Sequence, residues 1–288
     1  MRRIAVTNQK GGVGKTTTAA NLAAALALLG RRVLLVDLDT QANLTLHFTT
    51  DPESIQRSIY HVLRGDCRFG EALAPTPLPL LRYVPATMDL AGVEVELANV
   101  VGREMLLRDA ILQFLHESAA PAQVLPGGVV VPAAPARNAL PDFILFDCPP
   151  SLGLLSLNAL VAAEEVLIPL QAEFLALQGV SKLLEVVDLV RRRLNPALEI
   201  TGVLACMVNP RTNLSAEVLA EIQSFFGSKV FETRIRENVR LAEAPSHGKT
   251  IFAYAPDSKG AADYLRLAGE LLEREIAKTR SAVSSAPA

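Results

Sequence analysis

The stretch "NQKGGVGKTTTAANLA", residues 8–23, follows a short apolar run and opens into an alanine-rich helical pattern. A strand, a glycine-rich turn and a helix starting at Gly-Lys-Thr form the layout of a phosphate-binding loop. Successive backbone N–H groups cradle an anion there, and the helix N-terminus adds partial positive charge. Gly11, Gly12 and Gly14, with Val13 among them, let the backbone approach that anion closely. Lys15 is placed to reach the β- and γ-phosphates of a nucleotide, and the Thr16 hydroxyl to ligate Mg2+. Gln9 stands where the ordinary pattern has its first glycine, and a second lysine, Lys10, precedes the glycine cluster.

Outward from this loop, short apolar runs alternate with helical patterns, which predicts βα units and a mostly parallel sheet. Strands are expected at 3–8, 32–37, 143–147, 165–170 and 200–208, and helices at 15–29, 180–194, 215–226 and 261–278. Asp37 and Asp39 lie where the second strand ends, two residues apart and so on one side of an extended chain. Asp147 ends another buried strand. Ligands of open α/β sheets bind beyond the carboxyl ends of strands, so the three carboxylates are expected to converge on Lys15 and Mg2+. The fold expected is a single doubly wound α/β domain over residues 1–280, with a Pro/Ala-rich insertion at 118–141 and a flexible tail at 281–288.

Composition narrows the function classes. The 288 residues are 50% hydrophobic with a net charge of −2, and neither half of the chain is a basic module. Cys67, Cys148 and Cys206 are far apart and show no metal-ligand spacing, so a disulfide framework or structural zinc site is not expected. Cys148 reads as a small buried residue rather than a cluster ligand. His47, His61, His116 and His247 form no cluster and carry no assigned chemistry. No apolar run is long enough to span a membrane, and a cytoplasmic protein is expected.

Five segments together carry a resemblance: "KGGVGKTTTAANLA", "VLLVDLDTQAN", "FILFDCPPSLG", "LIPLQAEFLALQGV" and "NVRLAEAPSHGK". In that order they resemble the motif set of the ParA/Soj chromosome-partitioning ATPases, a group with a deviant Walker A loop. The resemblance implies an Mg-dependent, partner-stimulated ATPase that dimerises with ATP bound. Lys10 would cross the dimer interface to the partner's phosphates, Asp39 would position or activate the attacking water, and Asp37 and Asp147 would hold the Mg2+ shell. Thr17 would add a phosphate contact, and Met207 and Asn209 would lie near adenine. It further implies non-specific DNA binding, a ParB-like centromere-binding partner, a nucleoid-associated location and no stable membrane association. Candidate DNA contacts are Lys182, Arg211, Arg240 and Lys249, alongside Arg191, Arg192, Arg193, Arg234 and Arg236. The alternative is a positioning ATPase of the same core serving a protein cargo or polar complex. Thr40 and Ala42 depart from the Pro and Gly that the family often carries, which bears on the loop holding Asp39.

Overall fold

The computed structural model describes residues 1–119, 123–124, 130–131, 140–173, 179–209 and 212–284. In chain order the strands are β1 (Arg2–Val6), β2 (Val33–Asp37), β3 (Ala74–Pro75), β4 (Leu81–Val84), β5 (Gln123–Val124), β6 (Val130–Val131), β7 (Phe143–Asp147), β8 (Glu165–Gln171) and β9 (Glu199–Cys206). Seven of them form one sheet in the order β3-β4-β2-β7-β1-β8-β9, while β5 and β6 pair with each other. Within the large sheet only the β3–β4 pair is antiparallel.

The helices are α1 (Lys15–Leu28), α2 (Ile59–Arg64), α3 (Val93–Glu96), α4 (Leu106–Ala119), α5 (Leu154–Ala162), α6 (Ser181–Arg193), α7 (Asn213–Phe226), α8 (Val239–Glu243), α9 (Ile251–Tyr254) and α10 (Lys259–Ser284). The central strands are apolar on both faces because helices cover both. Ile4, Val6, Phe143 and Leu145 point into a core shared with α1 and α10. Their neighbours Ala5, Ile144 and Phe146 point into the opposite core, built with α2, α4, α5 and α6. Helix α1 is buried almost all round, between the sheet and α10, and its alanines permit that close approach.

The expected strands and helices are present, with shifted ends. β9 stops at Cys206 rather than at 208, because Met207 turns the chain with a φ of 54°. α7 starts at Asn213, capped by the Thr212 hydroxyl accepting from the Ser215 N–H at 3.4 Å. α10 runs to Ser284, through the start of the expected tail, and residues 285–288 lie outside those described. Of the insertion at 118–141, only the end of α4, β5, β6 and 140–141 are described. Among the described residues, no helix is long and apolar enough to cross a membrane.

Candidate active site

Register places the site. Val6, the last residue of β1, pairs with Asp147 of β7, and Asp147 pairs with Asp37 of β2. The loop following β1 therefore starts beside two carboxylates in one row, at the carboxyl edge of the sheet. In that loop Gly12 and Gly14 have φ values of 74° and 90°, a region closed to most side chains. Gly14 then leads directly into α1. Asn8 anchors the loop base: its amide donates to the Pro169 carbonyl at 2.7 Å, and its Oδ1 accepts from the Lys10 N–H at 3.0 Å.

Lys15 is buried, with Nζ donating to the Lys10 carbonyl at 3.1 Å. Burial lowers the pKa of its amine, while Asp147 and Asp39 push the other way. Asp147 is fully buried, and neither carboxylate oxygen has a hydrogen-bond partner among the described residues. Burial drives its pKa well above the usual range, as does the charge of Asp37; the Thr16 hydroxyl and the Lys15 cation offset only part of this. An orphaned buried carboxylate beside a hydroxyl suits Mg2+, which takes few protein oxygens and fills its shell with water and phosphate. The described residues hold no cluster of three or more His, Cys, Asp or Glu able to bind a metal.

Asp37 is differently situated. Its Oδ2 accepts from the Thr45 N–H at 2.9 Å and the Thr45 hydroxyl at 2.7 Å, and its Oδ1 from the Asp39 N–H at 3.1 Å. Burial, the largest influence, pushes its pKa up to about 7 against those bonds. Oδ1 accepts a single bond and so keeps one lone pair for a metal, whereas Oδ2 is already twice bonded. Asp39 lies in the loop beyond, where its Oδ1 accepts from the Gln41 N–H at 3.0 Å. Three residues after Asp39, Ala42 has a φ of 51°, the left-handed conformation that a glycine adopts without strain.

A cleft of about 710 Å³ joins these groups, lined by Gly11, Gly12, Gly14, Lys15, Thr16, Thr17 and Asp39 among others. Gly14, Thr17 and Met207 also line an adjoining, more apolar cavity of about 280 Å³, closed by Ile235, Asn238, Val239 and Leu241. Its width and apolar walls suit a planar nucleobase. Asn209 instead lines a neighbouring polar cleft with Thr212, Thr233, Arg234 and Arg236. Lys10 stands on the surface, its Nζ 3.3 Å from Glu173 Oε2, both side chains about half exposed.

Of the candidate DNA residues, Arg236 lines the adjoining apolar cavity, while Lys182, Arg240 and Lys249 line neither it nor the phosphate cleft. Lys182, Arg240 and Lys249 are exposed, Arg240 pairing with Glu243 at 3.0 Å. Arg211 lies outside the described residues. Arg236 is held by the buried Asp263 at 2.6 Å, and Arg191 and Arg192 by Asp188 at 2.7 and 2.9 Å.

Sequence reasoning missed three side chains around the cleft. Glu94 accepts from the Leu154 N–H at 2.8 Å, supplying the cap that Gly153 cannot. His47 lines the cleft wall, and Glu173 meets Lys10. Nothing local in the sequence marked any of the three.

A family model described as an AAA domain matches residues 1–117 and 136–200. The chain is 46% identical over 278 residues to the chromosome partitioning protein ParA of Myxococcus xanthus, covering 96% of this chain and 90% of that protein. It is 47% identical over 274 residues to the chromosome-partitioning ATPase Soj of Thermus thermophilus, covering 95% and 96%. Among solved structures, cobyrinic acid a,c-diamide synthase from Mycobacterium smegmatis, with bound ATP analog and magnesium, matches with a TM-score of 0.75 at 37% identity over 94% of each chain. With its phosphate loop preceded by Lys10 and set beside paired strand-end carboxylates, the chain belongs to the ParA/Soj family of chromosome-partitioning P-loop ATPases.

Proposed function

We propose that the protein is a nucleotide-switched partitioning ATPase: it binds Mg-ATP, dimerises, holds DNA without sequence preference, and lets go after hydrolysis. The observation that carries this reading is the row formed by the phosphate loop, the orphaned Asp147 and buried Lys15 at one sheet edge. Relatives named as partitioning ATPases and a related structure with an ATP analog and magnesium support it. Mg2+ would be held by the Thr16 hydroxyl and Asp147, with Asp37 as a further carboxylate, and it supplies charge neutralisation at the phosphates.

The loop backbone and Thr17 bind the phosphates, and the base enters the cavity beside Met207. Lys15 keeps its charge against the triphosphate in a buried setting, where a cation acts most strongly. Asp39 orients the attacking water, so hydrolysis proceeds by positioning and charge stabilisation without a covalent intermediate. Lys10, exposed in the monomer, reaches the phosphates of the partner subunit, so ATP favours the dimer more than ADP does. A centromere-binding protein of the ParB kind stimulates turnover and links the cycle to DNA movement.

The test is binding to non-specific duplex DNA at near-physiological salt, using Asp39→Ala to slow hydrolysis. Binding with ATP and not with ADP is expected. Equal binding with both nucleotides, or none with either, would remove the DNA-partitioning mechanism and favour positioning of a protein cargo.

A further inference from the structure

The segment from Asp37 to His47 is bonded to itself from both ends. At the near end, Asp37 accepts from the Asp39 and Thr45 backbones and from the Thr45 hydroxyl, and that hydroxyl oxygen accepts from the Ala86 N–H at 3.0 Å. In the middle, the Asp39 carbonyl accepts from the Ala42 N–H at 2.9 Å. At the far end, His47 Nδ1 lies 3.1 Å from the Asn43 carbonyl oxygen. A carbonyl can only accept, so a bond there requires the proton on Nδ1. The other ring nitrogen, Nε2, is then a bare acceptor; it is buried with no partner among the described residues.

Packing alone does not account for this side chain. His47 is 3% exposed, and an aliphatic residue would fill the space without burying an orphaned nitrogen. What the imidazole adds is the Nδ1 bond, made to the carbonyl that directly follows the strained Ala42. A loop holding an alanine at a φ of 51° relaxes unless its neighbours restrain it. The turn at 244–247 packs against 45–47 from outside, and Pro245 shares the wall of the nucleotide cleft with His47.

We propose that His47 is a positioning residue for ATP hydrolysis, its Nδ1–H clamping the Asn43 carbonyl and thereby fixing the loop that presents Asp39. The inference rests on the role given above to Asp39. Burial lowers the pKa of His47 to about 4, so the imidazole stays neutral and the clamp persists across the physiological range.

The test compares His47→Asn, His47→Gln and His47→Leu in basal single-turnover ATP hydrolysis, with binding of a fluorescent ATP analogue and thermal melting measured on each. An Asn amide can place an N–H close to the position of Nδ1, whereas a Gln amide reaches toward Nε2 and Leu donates nothing. Expected is a hydrolysis rate lowered on the order of tenfold in the Gln and Leu variants, with nucleotide affinity held within about twofold, and rescue by Asn. Equal rates in all three variants and the wild type would overturn the proposal. So would losses of rate, affinity and melting temperature in parallel without rescue by Asn, which mark a packing role. Asp39→Ala is run alongside. If it keeps the wild-type rate, the reading of Asp39 fails and this one with it; if it loses the rate while His47→Leu does not, only the inference about His47 fails.

Discussion

Asp147 ends β7 fully buried, and neither oxygen has a hydrogen-bond partner among the described residues, so the free protein carries an unfavourable group at the sheet's carboxyl edge. The folded pKa values of both Asp147 and Asp37 are raised. Their favourable contribution to folding is therefore fully present below the ordinary carboxylate pKa of about 4, and lost as pH rises through the folded value. For Asp37 that value is about 7. Asp147→Asn should stabilise the nucleotide-free protein by roughly 1–3 kcal/mol where the wild-type carboxylate is ionised, and weaken the loss of stability as pH rises above the ordinary carboxylate range. The same variant should lose Mg-dependent nucleotide affinity. Chemical denaturation across pH, with and without Mg-ATP, checks both; an unchanged pH profile would contradict the account of the orphaned carboxylate. Lys15, Asp147 and the loop glycines were legible because each stands at a fixed offset from a strand end. His47 and Glu94 were not, because their partners are set by tertiary folding. Glu94 reaches a helix start 60 residues away, and His47 depends on the course of a loop whose strain sequence does not display.

Among the elements, β1, β2, β7 and β8 were legible as short, mostly apolar runs, and α1 as the alanine-rich pattern that follows the glycine turn. β3 and β4 were missed. The first is two residues long and includes Pro75, and the second, "LRYV", carries an arginine in a run too short to show a period. β3 is the edge strand and β4 the next one in, between β3 and β2. Gly202 in β9 shows a constraint invisible in sequence: a Cβ there would overlap the Phe231 ring, which in turn stacks under the Arg274 guanidinium at 4.1 Å. Gly202→Ala should cost about 1–3 kcal/mol in unfolding free energy through overpacking. Denaturant unfolding measures this, and a loss under about 0.5 kcal/mol would mean the ring moves aside freely.

For the whole molecule, the formal net charge is −2, and Lys182, Arg240 and Lys249 stand exposed. A single copy offers a DNA phosphate backbone few cations, and a two-fold dimer doubles them along one duplex. Dimerisation is therefore the step on which the proposed cycle depends, and in that proposal Lys10 is the residue that would link it to ATP. Among the described residues, the side chain of that lysine is held by a half-exposed pair with Glu173, an interaction weak enough to let it reorient. The most direct measurement is sedimentation velocity on Asp39→Ala and on the Lys10→Ala/Asp39→Ala double variant, each with Mg-ATP and Mg-ADP, with ATP binding verified in both. The account predicts a dimer for Asp39→Ala with ATP alone, and a monomer for the double variant despite bound ATP. A dimer that forms equally with ADP, or that survives loss of Lys10, would contradict it.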